Sequence, residues 1–262
     1  KNERYLLPYI GIIIVFGGHY VGWMNGIRQI IAACIFVYSI QFIYDRKALK
    51  YFLLIFIATL FHKSAVLLFV FYFIPQRDYF KNRFISLGLL LLAVIIGSNP
   101  YWIDLLNNLE GLLHYIGYEG YAEHLERWII ERQKEMNLGP RRLSRVLLSA
   151  LIIWYHPQLK NKFQNTHYQT YFNLHLIGAI LHNLLANTGH IFLRPTAYFT
   201  IFMIPTAAYF LHFLKYKKFK ELPVMYIITF LLIISYMLVA IVSDNRLGEL
   251  DWTNYKFFGD YV

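Results

Sequence analysis

Three groups of residues in this 262-residue chain have the types and spacing for chemistry on an anionic substrate. The first is Asn25-Gly26-Ile27-Arg28-Gln29, where Arg28 stands at the start of an apolar run. A guanidinium beside the free N–H groups of a helix N-terminus makes a site for phosphate or diphosphate, because its planar fork and the helix dipole both favour an oxyanion. The same arginine would serve equally as an interfacial anchor whose head snorkels to lipid headgroups. Gln29 adds an amide to the group. The second group is His62-Lys63-Ser64, three polar residues inside the apolar stretch 51–74. A histidine alone there would be a packed residue bonded to a carbonyl. Beside a lysine and a serine it is a candidate base or phosphate-binding group, with Lys63 as a point-charge phosphate ligand. The third group is a stripe, His175, Gly178, Ala179, His182, Ala186 and Asn187 with Asn183 at its flank, that leads to His190 and Arg194-Pro195. Part of this stripe is structural whatever the function, since small residues on one face let helices pack closely.

The elements that must position these groups follow from composition. Hydrophobic residues make up 58% of the chain and charged residues only 15%, against roughly a quarter charged in a soluble domain. Apolar runs of about 18 residues or more recur, each long enough to cross a hydrocarbon core of roughly 30 Å as a helix. The expected fold is all-α, a polytopic transmembrane bundle forming a single domain over 1–262, with helices near 5–20, 25–44, 51–74, 84–99, 143–155, 168–188, 191–214 and 222–242. The formal charge of +10 does not point to nucleic acid, because the basic residues sit in short clusters between apolar runs, where orientation in a bilayer accounts for them.

The stretch 51–74 is the ambiguous element. It is long enough to cross once, yet His62, Lys63 and Ser64 interrupt it, and a cation at the centre of a lipid-facing helix costs roughly 2.5 to 3.5 kcal/mol. The alternative is a re-entrant or broken-helix hairpin with its tip at His62 to Ser64. If the chain turns back there, the inner segments are 1–4, 45–50, 75–83, 156–167 and 215–221, with 14 Lys/Arg against 4 Asp/Glu, while the rest of the chain is balanced. A single crossing would instead put the clusters near 77–83 and 215–220 outside. The positive-inside rule therefore favours the hairpin. Non-helical backbone at membrane depth is tolerated only within protein or beside a water-filled cavity, so the topology predicts an outward-opening cavity lined by Arg28, His62, His190 and Arg194.

The largest outer loop, 100–142, carries helical spacing in Trp102, Leu105, Leu106, Leu109, Leu112, Leu113 and Ile116, and again in Leu125, Trp128 and Ile129. Amphipathic helices on the outer surface near 101–137 fit it. Gly139-Pro140 ends this loop, and Arg141 and Arg142 start the next span. Cys34 is the single cysteine, which excludes a disulfide or a Cys-based metal site within the chain. The apolar runs lack Asp and Glu, so the usual zinc and magnesium ligand sets and the carboxylate of a Ser-His-Asp triad are missing from the spans. No metal or other cofactor is expected. The chain opens at Lys1 without a Met, as expected for a segment of a longer protein.

Asn25-Gly26-Ile27-Arg28-Gln29-Ile30-Ile31-Ala32, then Ile57-Ala58-Thr59-Leu60-Phe61-His62-Lys63-Ser64-Ala65, then Arg194 with Tyr198 and Phe199 four and five residues later, resemble the EpsG family. That family belongs with the Wzy-type polymerases of bacterial surface polysaccharides. The resemblance implies a multi-pass GT-C-type glycosyltransferase of the bacterial cytoplasmic membrane. Its active site would face outward, and it would join polyprenyl-diphosphate-linked oligosaccharide repeat units without a metal. Membrane lipid surrounds such an enzyme, and a flippase and a chain-length regulator are its expected partner proteins. On this reading Arg28 and Arg194 stabilise the leaving diphosphate, and His62 is the general base. Ser64 and His190 orient substrate, and Asn25, Gln29, Lys63 and Arg141 complete the substrate-binding set. Tyr115, Tyr118, Tyr121 and Trp128 of the outer loop either stack on sugars or sit in the headgroup belt. Family members carry further N-terminal helices with an Asp-containing outer segment that this chain lacks, which leaves any catalytic carboxylate unassigned. A flippase of lipid-linked sugars, which would usually show paired halves, and a membrane acyltransferase acting on polysaccharide are the rival readings.

Overall fold

The computed structural model describes residues 3–16, 19–24, 26–74, 77–99, 102, 139–186, 193–216, 226, 227, 229–231 and 234. Asn25, His190, nearly all of the expected outer-surface helices and most of the expected helix 222–242 lie outside them. The described chain is predominantly helical. After a 3-10 turn at Arg4–Leu6, the helices are α1 (Leu7–Phe16), α2 (His19–Met24), α3 (Ile27–Tyr44), α4 (Ala48–Phe61), α5 (Arg83–Gly97), α6 (Pro140–Lys162), α7 (Tyr168–Leu184), α8 (Ala197–Thr200) and α9 (Met203–Tyr216). Two further 3-10 segments, Lys63–Phe73 and Arg194–Thr196, carry the residues of most interest.

Two helical stretches have the length and hydropathy of membrane spans: Ile27–Tyr44 and Arg194–Tyr216. They differ in surroundings. The span-forming window of Arg194–Tyr216 is 78% buried in the protein, that of Ile27–Tyr44 only 33%, so the last stretch is the core of the bundle and α3 lies toward its edge. Four shorter apolar helices accompany them, including both arms of the stretch 51–74. On α4, Leu49, Leu53, Phe56 and Leu60 are exposed at spacings of one helical turn, and Leu91, Leu92 and Ile95 are exposed on α5. Continuous apolar stripes of this kind call for an apolar surrounding.

The stretch 51–74 is not one helix. α4 ends at Phe61, His62 is extended (φ −150°, ψ 117°), and the 3-10 arm Lys63–Phe73 follows. The arms lie antiparallel. Tyr51 meets Tyr72 (ring centroids 5.5 Å apart), Phe52 stacks on Phe69 (5.9 Å), and the Tyr51 hydroxyl donates to the Leu68 carbonyl at 2.6 Å. These pairs bracket His62, whose extended backbone between the two arms makes it the turn. The hairpin returns 77–82 to the end of the bundle where α3 stops. There the Tyr44 and Thr170 hydroxyls bond, Asn173 donates to the Arg77 carbonyl (2.6 Å), and Lys160 Nζ lies 2.6 Å from Asp78 Oδ2. Glu3 pairs with His167 at 2.9 Å, again at the N-terminal end of α7.

One boundary differs from the sequence expectation. The helix expected over 143–155 runs from Pro140 to Lys162 with Pro157 inside it. Pro140 suits the first turn because its missing N–H has no helical acceptor there in any case. Pro157 and the polar residues after it end the apolar run without ending the helix, and Lys160 in its last turn is paired with Asp78 of the neighbouring connection.

Two glycines bring the other end together. A Cβ on Gly178 of α7 would lie 2.6 Å from the Phe199 carbonyl carbon, and one on Gly97 of α5 would lie 1.9 Å from the Asn183 carbonyl oxygen. Only a hydrogen side chain permits these approaches. They set α7 against α8 and α5 against the end of α7, where the residues of the site collect.

Candidate active site at the hairpin tip

His62 is held by its backbone on both sides. Its N–H donates to Ala58 at 3.0 Å, and its carbonyl accepts from Ala65 at 2.9 Å. The side chain then enters a small closed network. Its Nδ1 is 2.7 Å from Ser64 Oγ and 3.2 Å from the Tyr198 hydroxyl, and those two oxygens are 3.0 Å apart. Tyr198 comes from α8 and is 1% exposed, so it is a fixed wall for the ring. With Nδ1 engaged by two hydroxyls, Nε2 is the nitrogen left to meet a substrate.

Arg28 occupies the first turn of α3 and Arg194 opens the 3-10 turn before α8; both are exposed. Both lie near enough for their positive charges to act on the His62 ring. The two elements are tied together by Gln29, 8% exposed, whose Nε2 donates to the Arg194 carbonyl. Five of the residues singled out in the sequence, Arg28, Gln29, His62, Ser64 and Arg194, thus lie at one end of the bundle. Lys63 is exposed beside them. Arg141 is in the first turn of α6. Its neighbour Arg142 closes the C-terminal end of α7, with Nε donating to Asn183 Oδ1 and a terminal nitrogen to the Asn183 carbonyl, both at 3.0 Å.

Tyr198 is the residue that sequence reasoning did not assign to the site. Its only signal was its position four residues after Arg194, one helical turn on, and the ring network could not be read from that spacing.

Beside the tip, a cavity of about 270 Å³ is lined by residues of α2, α3, α6, α7, α8 and α9. Its wall includes Trp23, Gln29, Ser149, His175, His182 and Asn183. Arg28, His62 and Arg194 are not among its lining residues, so the cavity and the tip are neighbours that share Gln29 rather than one chamber. The stripe on α7 divides accordingly: His175, Ala179, His182 and Asn183 face the cavity, whereas Gly178 is packed against α8. Among the described residues, no group of three or more His, Cys, Asp or Glu is placed to hold a metal ion.

The helices, their exposed apolar stripes and a tip that gathers cations around a histidine define a helical membrane-associated protein with a polar site at one end of its bundle. The sequence pattern of the EpsG family matches residues 1–257, and the chain belongs to that family. Neither the curated proteins nor the solved structures give a significant match. Family membership together with the membrane-helix content supports a polysaccharide-related membrane function of the Wzy type in bacteria.

Proposed function

We propose that this protein is a multi-pass polymerase of the bacterial cytoplasmic membrane. It joins polyprenyl-diphosphate-linked oligosaccharide repeat units into a surface polysaccharide, and its hairpin tip faces outward. In the step we assign to it, a sugar hydroxyl of one repeat unit attacks the anomeric carbon of a chain carried on a second lipid diphosphate. The new glycosidic bond forms as the bond from that carbon to the diphosphate oxygen breaks, and the electron pair leaves on the polyprenyl diphosphate. The hydroxyl proton passes to His62 Nε2.

The observation that carries this reading is the meeting of Arg28 and Arg194 with the network His62–Ser64–Tyr198. A leaving diphosphate gains charge in the transition state, and guanidiniums beside it stabilise that charge. Gln29 supports this by anchoring the backbone of Arg194. For Nε2 to act as a base, the ring proton must reside on Nδ1, and Ser64 Oγ at 2.7 Å is the acceptor that favours that tautomer. Metal ions have no part in the step as we draw it. Asn25, Lys63, Arg141 and His190 are retained as substrate contacts, and a flippase and a chain-length regulator as partners.

The test is a gel of lipid-linked and surface glycan from cells lacking the protein. Loss of polymer with single repeat units retained supports a polymerase. Loss of both points to a flippase, and normal length with missing acyl groups to an acyltransferase.

A further inference from the structure

The cavity beside the tip has a feature that the proposed chemistry does not use. His175, near the middle of α7, is 2% exposed, and neither of its ring nitrogens has a hydrogen-bond partner among the described residues. Buried polar side chains are nearly always bonded. An unbonded imidazole in a residue that lines a cavity is a group whose bonding a molecule entering that cavity would complete.

The size and lining of the cavity narrow what that is. A single water takes a share of about 30 Å³, whereas this space is about 270 Å³. It lies just under the lower end of small-molecule sites, roughly 300 Å³, which suits one six-membered ring and excludes an oligosaccharide. A lipid tail is disfavoured by the polar groups of the wall, Ser149, His175, His182 and Asn183. Of these, Ser149 and His175 carry groups that can bond a hydroxyl, and Trp23 supplies an aromatic surface against which the C–H face of a sugar can lie. Gln29, another polar residue of the wall, also holds the Arg194 carbonyl. A ring seated here is therefore next to the cations of the tip.

We infer that this cavity binds one sugar ring of the glycan substrate, with His175 taking a hydrogen bond from or giving one to a ring hydroxyl. The inference rests on the polymerase reading for the identity of the glycan, and on the cavity alone for the site.

The experiment uses the purified chain in detergent and saturation-transfer NMR with glucose, galactose, N-acetylglucosamine and glucuronate, each offered singly. At least one sugar should receive saturation. Its affinity should fall tenfold or more in His175→Leu and in Trp23→Ala, and stay unchanged in the lipid-facing control Leu53→Ala. The melting temperature of His175→Leu should equal or exceed that of the parent, because the substitution removes a buried polar group that has no partner. Absence of transfer to every sugar, or parental binding by His175→Leu, overturns the inference. So does a large fall in melting temperature for His175→Leu, which would mark the imidazole as a bonded structural group. The glycan gel separates the two claims. Normal polymer in cells lacking the protein, with His175-dependent sugar binding in vitro, removes the polymerase reading and leaves the site. Lost polymer with His175-independent binding does the reverse.

Discussion

The side-chain amide of Gln29 donates to the backbone carbonyl of Arg194, 165 residues further along the chain. It joins the first turn of α3 to the turn that opens α8, and so ties together the backbone segments that carry the two arginines on which the proposed chemistry depends. A net hydrogen bond contributes only about 1 kcal/mol to stability, yet small displacements at a reacting centre cost much in rate. Gln29→Leu should therefore leave the protein inserted and close to its parental melting temperature, and reduce polymer formation about tenfold or more. Equal losses of folded protein and of activity would show that Gln29 is a packing residue only.

The His62 network predicts a graded series. Removing the base in His62→Ala should slow glycosyl transfer by about 10²- to 10⁴-fold. Ser64→Ala and Tyr198→Phe leave the imidazole in place and take away one of its two positioning hydroxyls, so each should cost less, about tenfold, and the double substitution more than either. The series is read from initial rates of chain extension in proteoliposomes. A loss in Ser64→Ala as large as in His62→Ala would make the serine, not the histidine, the reacting group.

Close helix approach predicts stability effects remote from the chemistry. Gly178→Ala and Gly97→Ala each place a methyl group against neighbouring backbone, and overpacking of this kind costs about 1 to 3 kcal/mol. Both should lower the melting temperature in detergent, whereas Gly88→Ala on α5, where nothing lies within 4 Å of the new methyl group, should not.

At the opposite end, burial would raise the Asp78 carboxyl, but Lys160, His156 and Gln169 outweigh it and hold its pKa below the usual 3.8. A carboxylate with a depressed folded pKa stabilises the fold fully above its unfolded value, about 3.9, and loses that contribution as the pH falls through the folded value. Asp78→Asn should thus lower the melting temperature at pH 7, and the gap between variant and parent should narrow below about pH 4. A gap independent of pH would mean that the charge is not what holds 77–82 to α6 and α7.

The turn at His62 was legible because three polar residues interrupt an otherwise apolar stretch. The cavity expected from the charge pattern differs from the one observed, whose lining holds none of Arg28, His62 and Arg194. Other features were not legible. Hydropathy cannot distinguish a helix facing lipid from one facing protein, so 27–44 and 194–216 read alike although one is edge and the other core. The apolar run ends near 155 whereas the helix continues to Lys162, and the pairing of Lys160 with Asp78 in its last turn joins residues 82 apart. The bonding of Tyr198 to His62 joins residues 136 apart, which no local pattern encodes.

The central claim, that fixed side-chain charge drives diphosphate departure, is tested most directly by chain extension of purified lipid-linked repeat units in excess chelator. The parent protein should extend them. Arg28→Ala and Arg194→Ala should each abolish extension while remaining inserted, and the Arg→Lys variants should recover only part of it, since a point charge cannot make the two-pronged contact. Full loss of parental activity on chelation with recovery on adding one divalent metal, or undiminished extension by Arg194→Ala, would contradict the account.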